Sequence, residues 1–209
     1  MIDILKLSLG PLQTNCYLLA CQETMKAAVI DPSWNGRSVA ATAEERGYEI
    51  SHILLTHSHF DHVGGLAELK EETAVSIYIH PEAVAMLSMA TQAANRWQLN
   101  IPEPPPADEM LSDGQTLTVG NITLEVLYTP GHAPGHVAFY LADYNVVFSG
   151  DALFQQGIGR TDLPGGDLPT LLTSIREKLL TLPDETQVLS GHGPATTIGD
   201  EKRSNPFLR

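Results

Sequence analysis

The sequence predicts an α/β protein in which two β-sheets pack face to face with helices on their outer sides. Two observations predict it. Each half of the 209-residue chain offers short runs rich in β-branched residues first and a covering helical stretch later. Four of those runs also stop where a metal-ligand residue follows: Ile53-Leu54-Leu55-Thr56 runs into His57, and Leu124-Glu125-Val126-Leu127-Tyr128 into Thr129-Pro130-Gly131-His132. Val146-Val147-Phe148-Ser149-Gly150 likewise runs into Asp151, and Val188-Leu189-Ser190-Gly191 into His192. Donors at strand ends are held by a rigid sheet, and glycines at 131, 150 and 191 are expected to let the backbone turn sharply there.

The elements follow in chain order. Leu5, Leu7 and Leu9 alternate with Lys6 and Ser8, and runs at 16 to 20 and 26 to 30 come after turn-sized gaps, which reads as an opening β-meander. Residues 36 to 46 carry Ala and Glu at helical density and stop at Gly47; 50 to 56 is a strand, so a β-α-β unit delivers the first histidine loop. Gly64-Gly65 leads into a second helix, 75 to 79 reads as strand, and Pro81 suits the first turn of a helix over 81 to 89. Pro102, Pro104, Pro105 and Pro106 forbid a helix between Asn100 and Asp108; an extended surface segment is expected there, joining the halves and rimming the site. Residues 115 to 128 form a hairpin turning at Gly120-Asn121, and 137 to 149 another turning at Asp143-Tyr144-Asn145. A further helix starts at the cap Asp167 with Pro169 in its first turn, placing Leu168, Leu171, Leu172, Ile175 and Leu179 on one face.

Composition narrows the functions. With 43% hydrophobic residues the chain can bury a substantial core, either as one domain or as a tight pair of half-domains. A formal charge of -13 without a basic cluster disfavours nucleic acid and anionic lipid as partners. Cys16 and Cys21 flank one apolar strand and read as buried free thiols. No basic region precedes a long apolar stretch, and no run approaches a membrane span, so a cytoplasmic location is expected.

Chemistry concentrates in Thr56-His57-Ser58-His59-Phe60-Asp61-His62, three imidazoles and a carboxylate within six residues. Neighbouring imidazoles repel when protonated and lack partners when neutral, and a divalent cation resolves both problems. With His132, Asp151 and His192 the chain holds seven ligand-type residues. That number exceeds the four protein donors with which a closed structural zinc site or inert binding module saturates its ion. His52 and His80 read as structural, His136 as a residue that supports the ligands or packs behind them, with a substrate contact as the alternative, and Glu201-Lys202-Arg203 as solvated surface. Phe154 and Tyr144 suit either a pocket wall or the core and turns.

These motifs resemble the metallo-β-lactamase fold superfamily and, within it, the short bacterial branch of glyoxalase II-like hydrolases. The likeness spans nearly the whole chain: Gly10-Pro11-Leu12-Gln13-Thr14-Asn15-Cys16-Tyr17, the histidine block, Thr129-Pro130-Gly131-His132, Ser149-Gly150-Asp151, Gly159-Arg160-Thr161-Asp162-Leu163-Pro164-Gly165-Gly166-Asp167, Ser190-Gly191-His192-Gly193-Pro194 and Asn205-Pro206-Phe207-Leu208. The resemblance implies a four-layer αββα sandwich over residues 1–209, a single domain made of two similar half-domains. It puts His57, His59 and His132 on one divalent metal, Asp61, His62 and His192 on a second, and Asp151 between them, with zinc expected and iron or manganese as alternatives.

The implied activity is hydrolysis of an S-2-hydroxyacylglutathione or related acyl thioester by a hydroxide shared between metals about 3.5 to 4 Å apart, its pKa lowered towards about 7. Asp61 would orient that hydroxide as well as bind metal, and Arg160, in a Gly-rich loop, is the expected contact for a substrate anion, ahead of Lys202 and Arg203. The larger glyoxalase II enzymes continue beyond this likeness into a helical domain, so their glutathione contacts do not carry over. Asp151 argues against antibiotic hydrolysis. The rival reading is a mononuclear iron persulfide dioxygenase of the same superfamily, which keeps most of these ligands.

Overall fold

Two six-stranded sheets lie face to face in a computed structural model that describes residues 1–209. The first runs in sequence order through β1 (Ile2–Leu9), β2 (Thr14–Cys21), β3 (Lys26–Ile30), β4 (Glu49–Leu54), β5 (Ile77–Ile79) and β6 (Glu109–Met110). Its first three strands form the antiparallel meander, and β3 to β6 are parallel because helices cross between them. Those helices are α1 (Gly36–Glu45), α2 (Phe60–Val63), α3 (Leu66–Thr73), α4 (Val84–Ser88) and α5 (Ala90–Arg96).

The second sheet contains β7 (Thr116–Val119), β8 (Ile122–Tyr128), β9 (Val137–Leu141) and β10 (Val146–Gly150) as two antiparallel hairpins. A small hairpin, β11 (Leu153–Phe154) with β12 (Gly157–Ile158), lies apart from both sheets. The chain then forms α6 (Leu168–Ser174), which widens into π-helical turns over Ile175–Leu179. It returns as β13 (Gln187–Ser190) parallel to β10, then β14 (Thr196–Thr197) and α7 (Ile198–Ser204).

Alternation along the strands builds three apolar layers. On β2, Cys16, Leu18 and Ala20 face helices α1, α3 and α5, joining Val39, Ala43, Leu66, Leu69 and Ala94. Tyr17, Leu19 and Cys21 face the other sheet and pack with Val126, Phe139 and Phe148. Leu171, Ile175, Leu179 and Ile198 cover the far side of the second sheet over Ala138, Val147 and Val188. A strand buried on both faces needs cover on both, and the result is the four-layer αββα sandwich. Both cysteines are buried free thiols. No helix is long and apolar enough to cross a membrane.

Four details differ from the expectations. The proline segment does not rim the site; Ile101 and Pro104 are buried, and the segment delivers Asp108, whose Oδ2 accepts from the Ile77 amide and Lys70 Nζ, each at 2.8 Å, to seat β6 beside β5. Helix α5 occupies residues that patterning left unassigned. The buried stripe of α6 starts at Leu171, and Leu168, in the first turn, is 45% exposed. Glu201, expected in water, is fully buried.

Candidate metal centre

The strand ends converge. β4 delivers His57, His59 stands in extended conformation just before the single turn of α2, and that turn carries Asp61 and His62. The second sheet brings His132 after β8, Asp151 after β10 and His192 after β13. His57, His59 and His132 place donor atoms within 4.8 Å of one another, as do Asp61, His62 and His192. Asp151 lies between the two groups: Oδ1 is 3.4 Å from His62 Nε2, while Oδ2 is 3.6 Å from both His132 Nε2 and His192 Nε2. All seven residues singled out in the sequence are thus brought together.

Hydrogen bonds at the back of three of the rings fix which nitrogen faces inward, while His59 Nδ1 donates to His132 Nε2 at 2.9 Å inside the centre. Thr56 Oγ1 donates to Asp31 Oδ2 at 2.6 Å and so accepts from His57 Nδ1 at 2.9 Å, leaving His57 Nε2 as the inward lone pair. His62 Nδ1 donates to Asp31 Oδ2 at 2.9 Å, and His132 Nδ1 donates to the Arg160 carbonyl at 2.8 Å. Rings anchored in this way present a basic, aimed donor on the other side. His136 stands behind the site as expected, bonded to Thr129 Oγ1 at 2.8 Å and accepting from the Asp151 amide at 3.1 Å through Nε2.

The donor set fits divalent metal. His57 Nε2, His62 Nε2 and Asp151 Oδ1 are buried and have no hydrogen-bond partner, an arrangement costly to a protein unless an ion completes it. Burial, reinforced by the other imidazoles, holds His57 well below the usual histidine range. Burial opposes charge on His62 too, but Asp151 and Asp61 outweigh it and hold His62 well above that range. Burial would raise Asp61, yet His62 and His192 bring it to about 2. Two buried carboxylates therefore draw positive charge into the centre. A divalent cation can supply that charge and return His62 Nε2 to service as a donor.

Sequence reasoning missed Asp31 and Thr14. Asp31 ties His62, the Thr56 amide and the Thr56 hydroxyl together, and Thr14 Oγ1 donates to Asp61 Oδ2 at 2.9 Å. The signal for Asp31 was present, because Ala27-Ala28-Val29-Ile30 is another apolar run stopping at an acid. Asp31→Asn is expected to weaken metal binding about 10- to 100-fold with the fold intact, as loss of an outer partner does elsewhere. Competition with a chromogenic chelator measures this, and unchanged affinity would remove Asp31 from the centre.

Gly150 has φ +50 as a sharp turn requires, but the need at Gly191 is space, since a Cβ there would overlap Asp151 Oδ1 and come within 2.6 Å of His62 Cε1.

The centre opens into a cavity of about 840 Å³ lined by residues that include Leu12, Phe60, Met86, Met89, Trp97 and Phe154. Arg160 stands on its wall, with Nε and Nη2 each 2.8 Å from the two carboxylate oxygens of Asp162. A substrate anion at Arg160 must compete with that bidentate pair. Tyr144 lies in the β9–β10 turn, 40% exposed, and His52 and His80 pack beside Tyr78 and Tyr128.

A four-layer sandwich with clustered histidines and aspartates at its strand ends defines a protein of the metallohydrolase class. The chain belongs to the metallo-beta-lactamase superfamily, whose family profile matches residues 9–192. It is 44% identical to the probable metallo-hydrolase YqgX of Bacillus subtilis, over 97% of this chain and 96% of that protein. It is 43% identical to the hydroxyacylglutathione hydrolase GloC of Haemophilus influenzae, over 94% and 93% respectively. Among solved structures, TTHA1623 in a di-iron-bound form superposes with TM-score 0.91 at 45% identity, covering 98% of this chain and all 100% of that one. The BLEG-1 B3 metallo-beta-lactamase gives 0.91 at 41%, covering 100% and 99%.

Proposed function

We propose that the protein is a dinuclear metallohydrolase acting on acyl thioesters of the hydroxyacylglutathione type. The observation that carries this reading is the placement of Asp151 between the two donor groups, with Oδ2 3.6 Å from His132 of one and from His192 of the other, and Oδ1 3.4 Å from His62. In the proposal His57, His59 and His132 hold one metal, Asp61, His62 and His192 the other, and Asp151 is shared. Two divalent ions, zinc first and iron or manganese as alternatives, would supply Lewis-acid polarisation of the carbonyl and a water activated at neutral pH.

The chain's own residues provide the rest. Asp61, fixed by Thr14 and 3.1 Å from His192 Nε2, orients the attacking water. The apolar cavity wall receives the substrate and excludes bulk water. No side-chain nucleophile is required, and both thiols are locked in the core rather than in the site. Because thiolate leaves readily, positioning and charge neutralisation suffice without a strong general acid. The likeness to GloC supports glutathione as the thiol carrier.

Steady-state assays with S-lactoylglutathione, simple acyl thioesters and a β-lactam, coupled to metal analysis, test the proposal. The expected result is about two metal equivalents and a kcat/KM highest for the thioesters. His57→Ala should lose more than the roughly 10- to 100-fold typical of an outer partner. One equivalent of iron, with oxygen uptake on glutathione persulfide and no thioester turnover, would replace this reading by a mononuclear iron dioxygenase.

A further inference from the structure

Two arginines line the cavity, and they differ in what holds them. Arg160 is engaged at both forks by Asp162. Arg96, the last residue of α5, has no ion-pair partner; Arg176 and Arg209 are unpaired too but do not line this cavity, and Arg37, Arg46 and Arg203 are each paired with a carboxylate. In a chain of formal charge -13, an unpaired guanidinium facing a cavity is a local exception.

The wall leading to it is apolar. Met86, Ala90, Ala93 and Trp97 recur at helical spacing along α4 and α5, and the Trp97 ring lies 6.2 Å from Phe60, the neighbour of Asp61 in sequence. Met89 and Trp97 are each 52% exposed, although both are large and apolar. Exposed apolar groups gathered at a cavity mouth mark a binding surface. The wall therefore includes both Phe60 beside the metal centre and the helix that ends in the free cation.

We propose that Arg96 determines specificity by binding a substrate carboxylate carried beyond an apolar stretch that lies on Met86, Met89 and Trp97. The proposal rests on the thioesterase reading for the reaction itself, but not for binding. An arginine fork matches a carboxylate bidentately, and the side chain need break no existing pair to do so.

Binding to the metal-loaded protein tests it without turnover, by calorimetry with the thioether S-hexylglutathione and with its diethyl ester, whose carboxylates are masked. Wild type should prefer the free acid by about tenfold, the scale of one charge-assisted contact. Arg96→Gln, a change at an exposed position, should bring that ratio close to unity. S-(5-carboxypentyl)-N-acetylcysteamine, with its carboxylate on the alkyl side, separates the two sources of the anion: whichever acid depends on Arg96 identifies where the natural carboxylate sits. A preference lost in Arg160→Gln but kept in Arg96→Gln overturns the assignment, as does absence of any preference for either acid. Arg96-dependent preference without thioester hydrolysis would leave the anion site standing and remove the hydrolase reading; hydrolysis with a preference indifferent to Arg96 would do the reverse.

Discussion

On the dinuclear reading, Asp151→Asn is expected to reduce bound metal from two equivalents to one or fewer and to lower kcat/KM by about 10³-fold or more, since losing even an outer partner costs 10- to 100-fold. The substitution preserves shape and removes charge. Its effect is large because the proposed role is shared: Oδ1 faces the group containing His62, and Oδ2 faces His132 and His192. The bond from the Asp151 amide to His136 belongs to the backbone and survives, so the loop stays in place. Metal analysis and circular dichroism on the same sample separate lost ions from lost fold. A variant that keeps both ions and full activity would end the bridging assignment.

The second large effect lies outside the set of ligands. Glu201 is completely buried on α7 and accepts from Thr196 Oγ1 at 2.6 Å, the Gln156 amide at 2.9 Å and Asn205 Nδ2 at 2.8 Å. Glu201→Ala strands those donors, which at the low end of 1 to 3 kcal/mol for each unsatisfied buried group, since Asn205 Nδ2 keeps its bond to the Gly157 carbonyl, costs about 3 kcal/mol in all. For a chain of this size that is a fall in Tm of about 6 to 12 °C, measurable by calorimetry. Gln156 and Gly157 belong to the β11–β12 hairpin, which Asn205 also holds through the Gly157 carbonyl at 3.0 Å. Phe154 of the same hairpin lines the cavity, so KM should rise along with the loss of stability. A Tm within 2 °C of wild type, less than the shift for about 1 kcal/mol, would show that water replaces the carboxylate.

Much of the sandwich is legible in the sequence because its strands are short apolar runs bounded by turn residues. The hairpins at Gly120-Asn121 and Asp143-Tyr144-Asn145 form where expected, and Asp167 caps α6 through the Thr170 amide at 2.9 Å. The convergence of seven donor residues was readable from the run-then-ligand pattern. What patterning missed has identifiable causes. Asp31 precedes Pro32 and reads as an ordinary turn, although it ends a strand as the ligands do. Helix α5 lacks a side-chain cap, leaving only its alanines as a signal. Helix α7 does have a cap, Thr197 accepting from the Asp200 amide at 3.1 Å, but Gly199 obscures the helix. The burial of Glu201 is set by Gln156, 45 residues away, a pairing no local window contains.

Each donor group draws from both sheets, with His57 and His59 meeting His132, and Asp61 and His62 meeting His192. The centre therefore acts as a gauge of alignment between the halves. Substituting Phe139 or Phe148, sealed in the layer between the sheets, changes how those halves seat, and the consequence is felt where imidazoles from opposite sides must meet. Ion affinity in this architecture would report the quality of the hydrophobic seam between the sheets.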